Sequence, residues 1–411
     1  MRICLIGNAS SVHVTTRASA FASNGHDVVL VSEKPAQATD VSIRAPNNRG
    51  LPGFRAFGML RQLAKMLREE SADIYHVHYA TGYGAWLTAA LGLKPLVVSV
   101  MGGDVLFDEQ MPQTWMARWL TRKLVCGADL VTSKSAYLTK HLREMGVDPE
   151  RILPVVWGVD LERFSRQDAT ALRKRLRISE SSPVILSPRI LLPLYNIDLI
   201  IAAFAEVLSD HPDAVLVVTG HRADEDYQHG LANQVEELGI AENVRFVGPV
   251  PPQEMPLFYS MAELSVGLAS SDGMPQTMFE AMACGVPSVM TRLKRYEEFV
   301  KHGESAWLVD LEPRMIGAAI SQLLADEPLR NRIAEAGRQI VATRADLTVE
   351  VARMDEALTA LISRASEENP TPAQRPVDVG MVLAILIVAI EFGLNKFSSR
   401  FQDMKTKGRL A

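Results

Sequence analysis

Residues 271–289 read SDGMPQTMFEAMACGVPSV and place Asp272 on a Gly-Met-Pro turn, with Glu280 further on inside an apolar stretch. A carboxylate among Met278, Phe279, Ala281 and Met282 is costly to bury unless a polar group meets it. Gly273 permits a tight turn, and Pro275 suits the position just before or at a first helical turn. A helix starting near Gln276 and Thr277 then offers backbone N–H groups to an anion such as phosphate. Asp272 overhangs that point, and Glu280, about one turn into the helix, can accept two hydrogen bonds from a vicinal diol. A nucleotide sugar supplies all three complements: a sugar with hydroxyls, a diphosphate and a ribose. The same segment also reads as a core helix whose glutamate snorkels to solvent.

Such groups must be held by a larger frame. The chain alternates short β-branched runs with amphipathic helical stretches, and strands are expected at 2–7, 27–32, 73–78, 95–100, 130–134 and 152–157. A second series is expected at 184–189, 214–220, 244–248, 264–269, 288–290 and 306–310, with helices starting near Pro313, Pro328 and Leu347. Near-continuous apolar strands with helical crossovers imply parallel sheets covered on both faces. One sheet of a dozen strands would be unusual, and WGVDLERF (157–164) forms a natural seam. The fold class is therefore α/β: two doubly wound domains sharing a crevice, with ligands outside the carboxyl ends of the strands. The expected divisions are 1–160, 161–345, a helix at 346–365 returning toward the first domain, a Pro-rich linker at 366–378, and a tail at 379–411.

With 47% hydrophobic residues in 411, disorder is excluded for most of the chain. A net charge of −5 gives no overall electrostatic reason to bind nucleic acid. Cys4, Cys126 and Cys284 match neither a zinc pattern nor a disulfide framework and read as core residues of a reducing compartment. The apolar run Ile3–Ile6 is shorter than the about 7–15 residues of a secretory signal, so a cytoplasmic location is expected. No Gly-x-Gly-x-x-Gly follows the first strand, which weighs against a nicotinamide dehydrogenase. The ADED run (223–226) reads as a solvated helix start, and no metal is expected.

The first domain is mildly basic, and stretches 50–69 and 111–124 combine basic with apolar residues, as helices on an anionic membrane or ordinary surface helices do. The tail runs apolar from Val379 to Leu394, interrupted by Glu391, and then carries Lys396, Arg400, Lys405, Lys407 and Arg409 against Asp403. As a helix the apolar part falls short of a ~30 Å hydrocarbon layer. It reads as a segment that lies on a membrane or packs on another subunit, with a short span as the alternative.

The chain resembles the retaining glycosyltransferases of family 4, the group 1 glycosyl transferases with the GT-B fold. The resemblance lies in Asp272, GMPQTMF, Glu280 and AMACGVP, and continues in NGHDVVLVS (24–32), DIYHVH (73–78), SVMGGD (99–104), WGVDLERF, Arg189 and EEFVKHGESAWLV (297–309). It implies that Glu280 binds the ribose hydroxyls and Asp272 those of the transferred sugar. The backbone of Gly273, Met274, Pro275, Gln276 and Thr277 would approach the sugar and phosphates, although Pro275 has no N–H to donate. Arg189 matches the arginine that neutralises the departing diphosphate, and Gly220 and Val247 lie where relatives bind the ribose and base edge. In the first domain Asn8, Ser10 and Ser11 replace the family's glycine-rich turn, still allowing close approach to a phosphate. His13 faces the crevice or a helix cap, and His78 is a better crevice residue than His76. Asp104 accepts a hydroxyl or caps its loop.

The resemblance further implies a UDP- or GDP-linked donor, no cofactor, and same-face attack in which the departing phosphate oxygen takes the acceptor's proton. The acceptor would be lipid-linked or a polysaccharide of the cell envelope, with the enzyme peripheral on the inner face of the membrane. Three departures stand out. Asp272 replaces the usual glutamate, Met101 replaces a histidine, and Leu194, Tyr195 and Asn196 stand where the family lysine is expected. One cation fewer faces the diphosphate, with Lys134 and His221 as possible substitutes. Two other classes compete: a nucleotide-sugar epimerase on the same scaffold, and a catalytically impaired donor-binding subunit.

Overall fold

The computed structural model describes residues 1–35, 40–47, 55–107, 114–220, 224–368 and 376–391. Most of the expected linker, the basic end of the tail, His221, and the starts of the stretches at 50–69, 111–124 and 223–226 lie outside the described residues. The chain divides into two units, Met1–Val155 with Val351–Ala411, and Val156–Glu350.

In the first unit, β1 (Arg2–Ile6), β2 (Asp27–Val31), β3 (Ser42–Arg44), β4 (Ile74–His78), β5 (Leu96–Ser99), β6 (Leu130–Ser133) and β7 (Ile152–Pro154) form one parallel sheet. Its order is β3-β2-β1-β4-β5-β6-β7. In the second, β8 (Val184–Ser187), β9 (Val215–Thr219), β10 (Val244–Gly248), β11 (Leu264–Gly267), β12 (Ser288–Thr291) and β13 (Trp307–Val309) follow the order β10-β9-β8-β11-β12-β13. All residues of β4 and β9 are buried, as strands covered on both faces must be. All twelve expected strands are present, and β3 is an addition: three residues on the edge, with no apolar run to mark it.

Strand order reverses between β1 and β4 and between β8 and β11, so each sheet has a topological switch point where a crevice opens. Arg189 follows β8, and the loop carrying Asp272 follows β11. The helix Gln276–Ala283 buries Met278, Phe279 and Met282 in the core on one face of the second sheet. Ile197–Asp210 and Pro313–Ala325 cover the other. At the seam, a Cβ on Gly158 would lie 1.9 Å from the Ala345 carbonyl oxygen, so only glycine lets the two backbones pass. Val159 N–H donates to Ala345 O (2.9 Å) and Leu347 N–H to Val159 O (3.1 Å).

Helix Leu347–Glu368 carries the chain back into the first unit, where Asp355 meets His26 Nε2 at 2.8 Å and the Asn24 amide. Residues 379–391 are helical, and one apolar face of this helix packs within the first unit. Met381, Ala384, Ile385, Val388 and Ala389 sit in the first unit's own core, and Asp378 N–H donates to Ala90 O at 2.8 Å. Apolar residues three and four apart look alike whichever surface hides them, which is why the sequence pattern left the cover open. Among the described residues no helix is long and apolar enough to cross a membrane.

Candidate active site

In the second unit the strand ends gather the expected groups at one point. Pro188 turns the chain out of β8, and Arg189 Nη2 meets Asp272 Oδ2 at 2.6 Å while Nη1 donates to Thr277 Oγ1 at 3.1 Å. The Arg189 and Asp272 side chains are 10% and 16% exposed, so the ion pair is largely desolvated but reachable. Burial works against the Arg189 charge, yet the Asp272 carboxylate, Tyr195 and Tyr296 together outweigh it and raise the guanidinium above its ordinary value. The guanidinium also lies over the Tyr195 ring, 4.0 Å from its centroid. Arg189, Thr277, Pro275, Tyr296, Ser265 and Ser288 line a pocket beneath the pair.

No side chain caps the helix that begins after Pro275, whose φ of −74° and ψ of 127° place it just before the first turn. Gln276 turns its amide away to donate to Gly158 O (2.6 Å), and Met274 packs its side chain into the core, so only backbone faces outward there. Glu280 accepts from the Tyr259 hydroxyl on Oε2 at 2.9 Å, while that hydroxyl also reaches Thr277 O at 3.3 Å. Burial pushes the Glu280 carboxyl up, opposed by the Tyr259 bond and the charges of Arg163 and Arg189. Gly220 adopts φ 134° with its Cα against the Arg189 carbonyl; an added Cβ would lie 2.4 Å from that oxygen. Its N–H donates to Gly248 O (2.9 Å), just past the half-buried Val247. Tyr259 did not stand out in the sequence, and Tyr195 stood out only as a residue where a lysine is expected. A tyrosine in an apolar run reads as core, and only the need of a buried hydroxyl for a partner hints otherwise.

The first-unit candidates separate into surface and interior. Asn8 and Ser10 are exposed after β1 in an Asx turn, Ser10 N–H donating to Asn8 Oδ1 at 3.1 Å. Ser11 precedes the helix Val12–Ser23, and His13 is exposed in its first turn. His78 lies inside, only 2% exposed, with Nδ1 2.9 Å from Arg17 Nη1 and its ring 4.4 Å from that of His76. Asp104 is fully buried and caps its loop: it accepts from Ala80, Met101 and Gly102 N–H at 2.7, 3.0 and 2.8 Å. Of the two roles open to Asp104, loop capping is the one its oxygens fill. Arg17, whose place in a short apolar helix gave no sign of burial, holds this interior cluster through His78 and Met101 Sδ.

Asp224 caps the helix Glu225–Glu237 by accepting from Tyr227 N–H at 2.9 Å. Among the described residues no group of three or more His, Cys, Asp or Glu could hold a metal ion.

The buried histidines make stability depend on pH. Burial, with the Arg17 charge adding to it, holds His76 down at about 3. Burial, then His76, Arg17 and His13, hold His78 well below its ordinary value. The unfolded chain takes up protons near 6.5 that the folded chain refuses, so stability is full above that value. It then falls with acidification by up to about 1.4 kcal/mol per pH unit for each ring. Urea-unfolding midpoints between pH 7.5 and 5 read this slope, and a His76→Gln/His78→Gln variant should flatten it. An unchanged slope in that variant would contradict the assignment.

Residues 168–340 match the family model described as Glycosyl transferases group 1, and residues 2–135 match Glycosyl transferase 4-like. The D-inositol 3-phosphate glycosyltransferase of Geodermatophilus obscurus is 30% identical over 334 residues, 76% of this chain and 72% of that protein. The N-acetyl-alpha-D-glucosaminyl L-malate synthase of Bacillus anthracis is 27% identical over 286 residues, 68% of this chain and 72% of that one. Anabaena HepE, solved in complex with UDP and glucose, matches with a TM-score of 0.75 at 18% identity, over 88% of this chain and 100% of that one. That likeness establishes the fold.

Proposed function

Since the chain belongs to the group 1 glycosyltransferases and has the GT-B fold, we propose that it moves a sugar from a UDP- or GDP-linked donor to an acceptor with retention at the anomeric carbon. The observation that carries this reading is the Arg189–Asp272 pair at the uncapped start of helix Gln276–Ala283, one turn from the Tyr259-held Glu280. As the glycosidic bond breaks, negative charge grows on the diphosphate, and a fixed guanidinium beside helix N–H groups stabilises it without reorganisation. Donor entry exchanges Arg189 Nη2 from Asp272 to the diphosphate, and the freed Asp272 turns to the sugar hydroxyls. Glu280 accepts from the ribose diol through Oε1, with Oε2 already fixed by Tyr259. The departing phosphate oxygen takes the acceptor's proton, so no protein nucleophile is needed and no metal is used. Activity in a chelator should therefore match activity without one. Loss on chelation that magnesium or manganese restores would overturn that part.

The acceptor proposed is lipid-linked or polysaccharide, in cell-envelope synthesis on the inner membrane face. Support comes from the helix at 379–391, which leaves Val379, Leu383, Ile387 and Ile390 exposed on the side opposite its buried face. The chain after it is basic. Leu383→Asp/Ile387→Asp should release the protein from anionic vesicles without a change in unfolding temperature; undiminished sedimentation with vesicles would exclude this face as the contact. Removing residues 366–411 is a different experiment. It bares the core under Met381, Ile385 and Val388, each worth roughly 1.5–3 kcal/mol of burial, and should destabilise the first unit. A small anionic acceptor is the second reading, favoured by the inositol phosphate and malate in the names of the two curated relatives.

Incubating the protein with UDP- and GDP-sugars, with and without a membrane lipid extract, inositol phosphate or malate, tests the reading. Nucleoside diphosphate released only with an acceptor supports transfer. An isomeric donor would point to epimerisation, and binding without turnover to a donor-binding subunit.

A further inference from the structure

The segment that lacks the family lysine is built into the site in another way. Pro193–Tyr195 form a single tight turn, closed by Tyr195 N–H to Leu192 O (2.9 Å) and Asn196 N–H to Pro193 O (3.1 Å). Asn196 then takes a left-handed conformation, φ 49° and ψ 46°, to start the helix Ile197–Asp210. Three contacts stitch this turn to the loop that leads into Asp272. Ser270 N–H donates to Leu194 O (2.9 Å), and the Asn196 amide nitrogen reaches Leu268 O (2.6 Å) and Ser270 Oγ (2.8 Å). Between these anchors the Tyr195 ring packs on the core below and presents its face to the Arg189 guanidinium at 4.0 Å.

We propose that Tyr195 is a positioning residue that takes over from the missing lysine: it supplies no charge to the diphosphate but fixes the Arg189 cation. The inference rests on the donor site proposed above. A guanidinium is planar and stacks on an aromatic face. With one face on Tyr195, Nη1 on Thr277 and Nη2 on Asp272, Arg189 has a single orientation in the free protein. On donor binding the Nη2 partner changes and the stacked face does not, so the cation reaches the leaving group already oriented. A second ammonium in this place would repel Arg189 and lose the stack.

The test compares binding of UDP with UMP, and of GDP with GMP, to the full-length protein, because only the diphosphates carry the phosphate that Arg189 meets. Tyr195→Ala should weaken UDP or GDP binding by about 5- to 30-fold, the range of a desolvated cation–π contact, and leave UMP or GMP within about twofold. Tyr195→Phe, which keeps the face, should match the wild type in both. Tyr195→Leu keeps the apolar packing without the π face and should behave as the alanine variant does, which covers the case of a poorly folding alanine variant. Turnover should fall with the diphosphate affinity. Diphosphate binding by the alanine and leucine variants equal to wild type, or an equal loss for mono- and diphosphate, overturns the role of Tyr195 alone. A wild type that binds neither UDP nor GDP overturns the donor site and this inference with it.

Discussion

Replacing Arg189 with alanine should cut sugar transfer by about two to three orders of magnitude, the usual effect of removing a fixed group that stabilises developing charge. No second cation stands at 194–196 to share the diphosphate charge. The variant also strands Asp272, 16% exposed and paired to Arg189 at 2.6 Å. Breaking a buried pair from one side costs about 3–5 kcal/mol, and a partly exposed one less. A fall in activity could then reflect stability alone. Arg189→Ala/Asp272→Asn separates the two effects, because it removes the stranded charge and leaves the cation missing. Its unfolding temperature should recover toward wild type while its turnover stays low. Turnover of Arg189→Ala within about threefold of wild type would remove Arg189 from the mechanism.

Glu280→Gln should raise the donor KM by about a hundredfold with a smaller change in kcat, since a ribose clamp binds ground state and transition state alike. Glutamine keeps an oxygen for the Tyr259 hydroxyl, so the fold is spared the orphaned hydroxyl that alanine would leave. The discriminating readout is a 2′-deoxyribose donor. Wild type should reject it, and Glu280→Gln should treat it almost as it treats the ribose donor. Wild-type discrimination retained in the variant would place the diol elsewhere. Because burial raises the Glu280 carboxyl, donor affinity should decline on acidification sooner than for a solvent-exposed glutamate.

What the sequence disclosed follows from how each feature is encoded. Long apolar strands such as β4 and β9 announce themselves, because burial on both faces demands it of every residue. β3 did not, since three residues at an edge need only backbone partners. Asp272 and Glu280 were legible as chemistry because charged groups in apolar or turn contexts require an explanation, Arg189 only through the family resemblance, and the fold brings Arg189 and Asp272 to 2.6 Å. The roles of Tyr259 and Tyr195 were not, since they depend on which side chain the hydroxyl of one and the ring of the other meet in the fold, Glu280 lying 21 residues from Tyr259. His78 and Asp104 carried the right residue types at strand ends, yet both lie inside the first unit, one against Arg17 and the other capping its loop. Residue type at a strand terminus does not tell inward from outward. The tail's stripe likewise could not name its cover, and the first unit's own core supplies it.

Same-face transfer fixes the stereochemistry of the first product. With an α-linked UDP- or GDP-sugar labelled with carbon-13 at the anomeric carbon, NMR of the product formed in the presence of acceptor should show an α-linkage at the earliest time point. One nucleoside diphosphate should appear for each linkage made, and Arg189→Ala should slow both signals together. A β-linked first product would contradict transfer through same-face attack at the Arg189–Asp272 site, and diphosphate release without any linkage would contradict transfer itself.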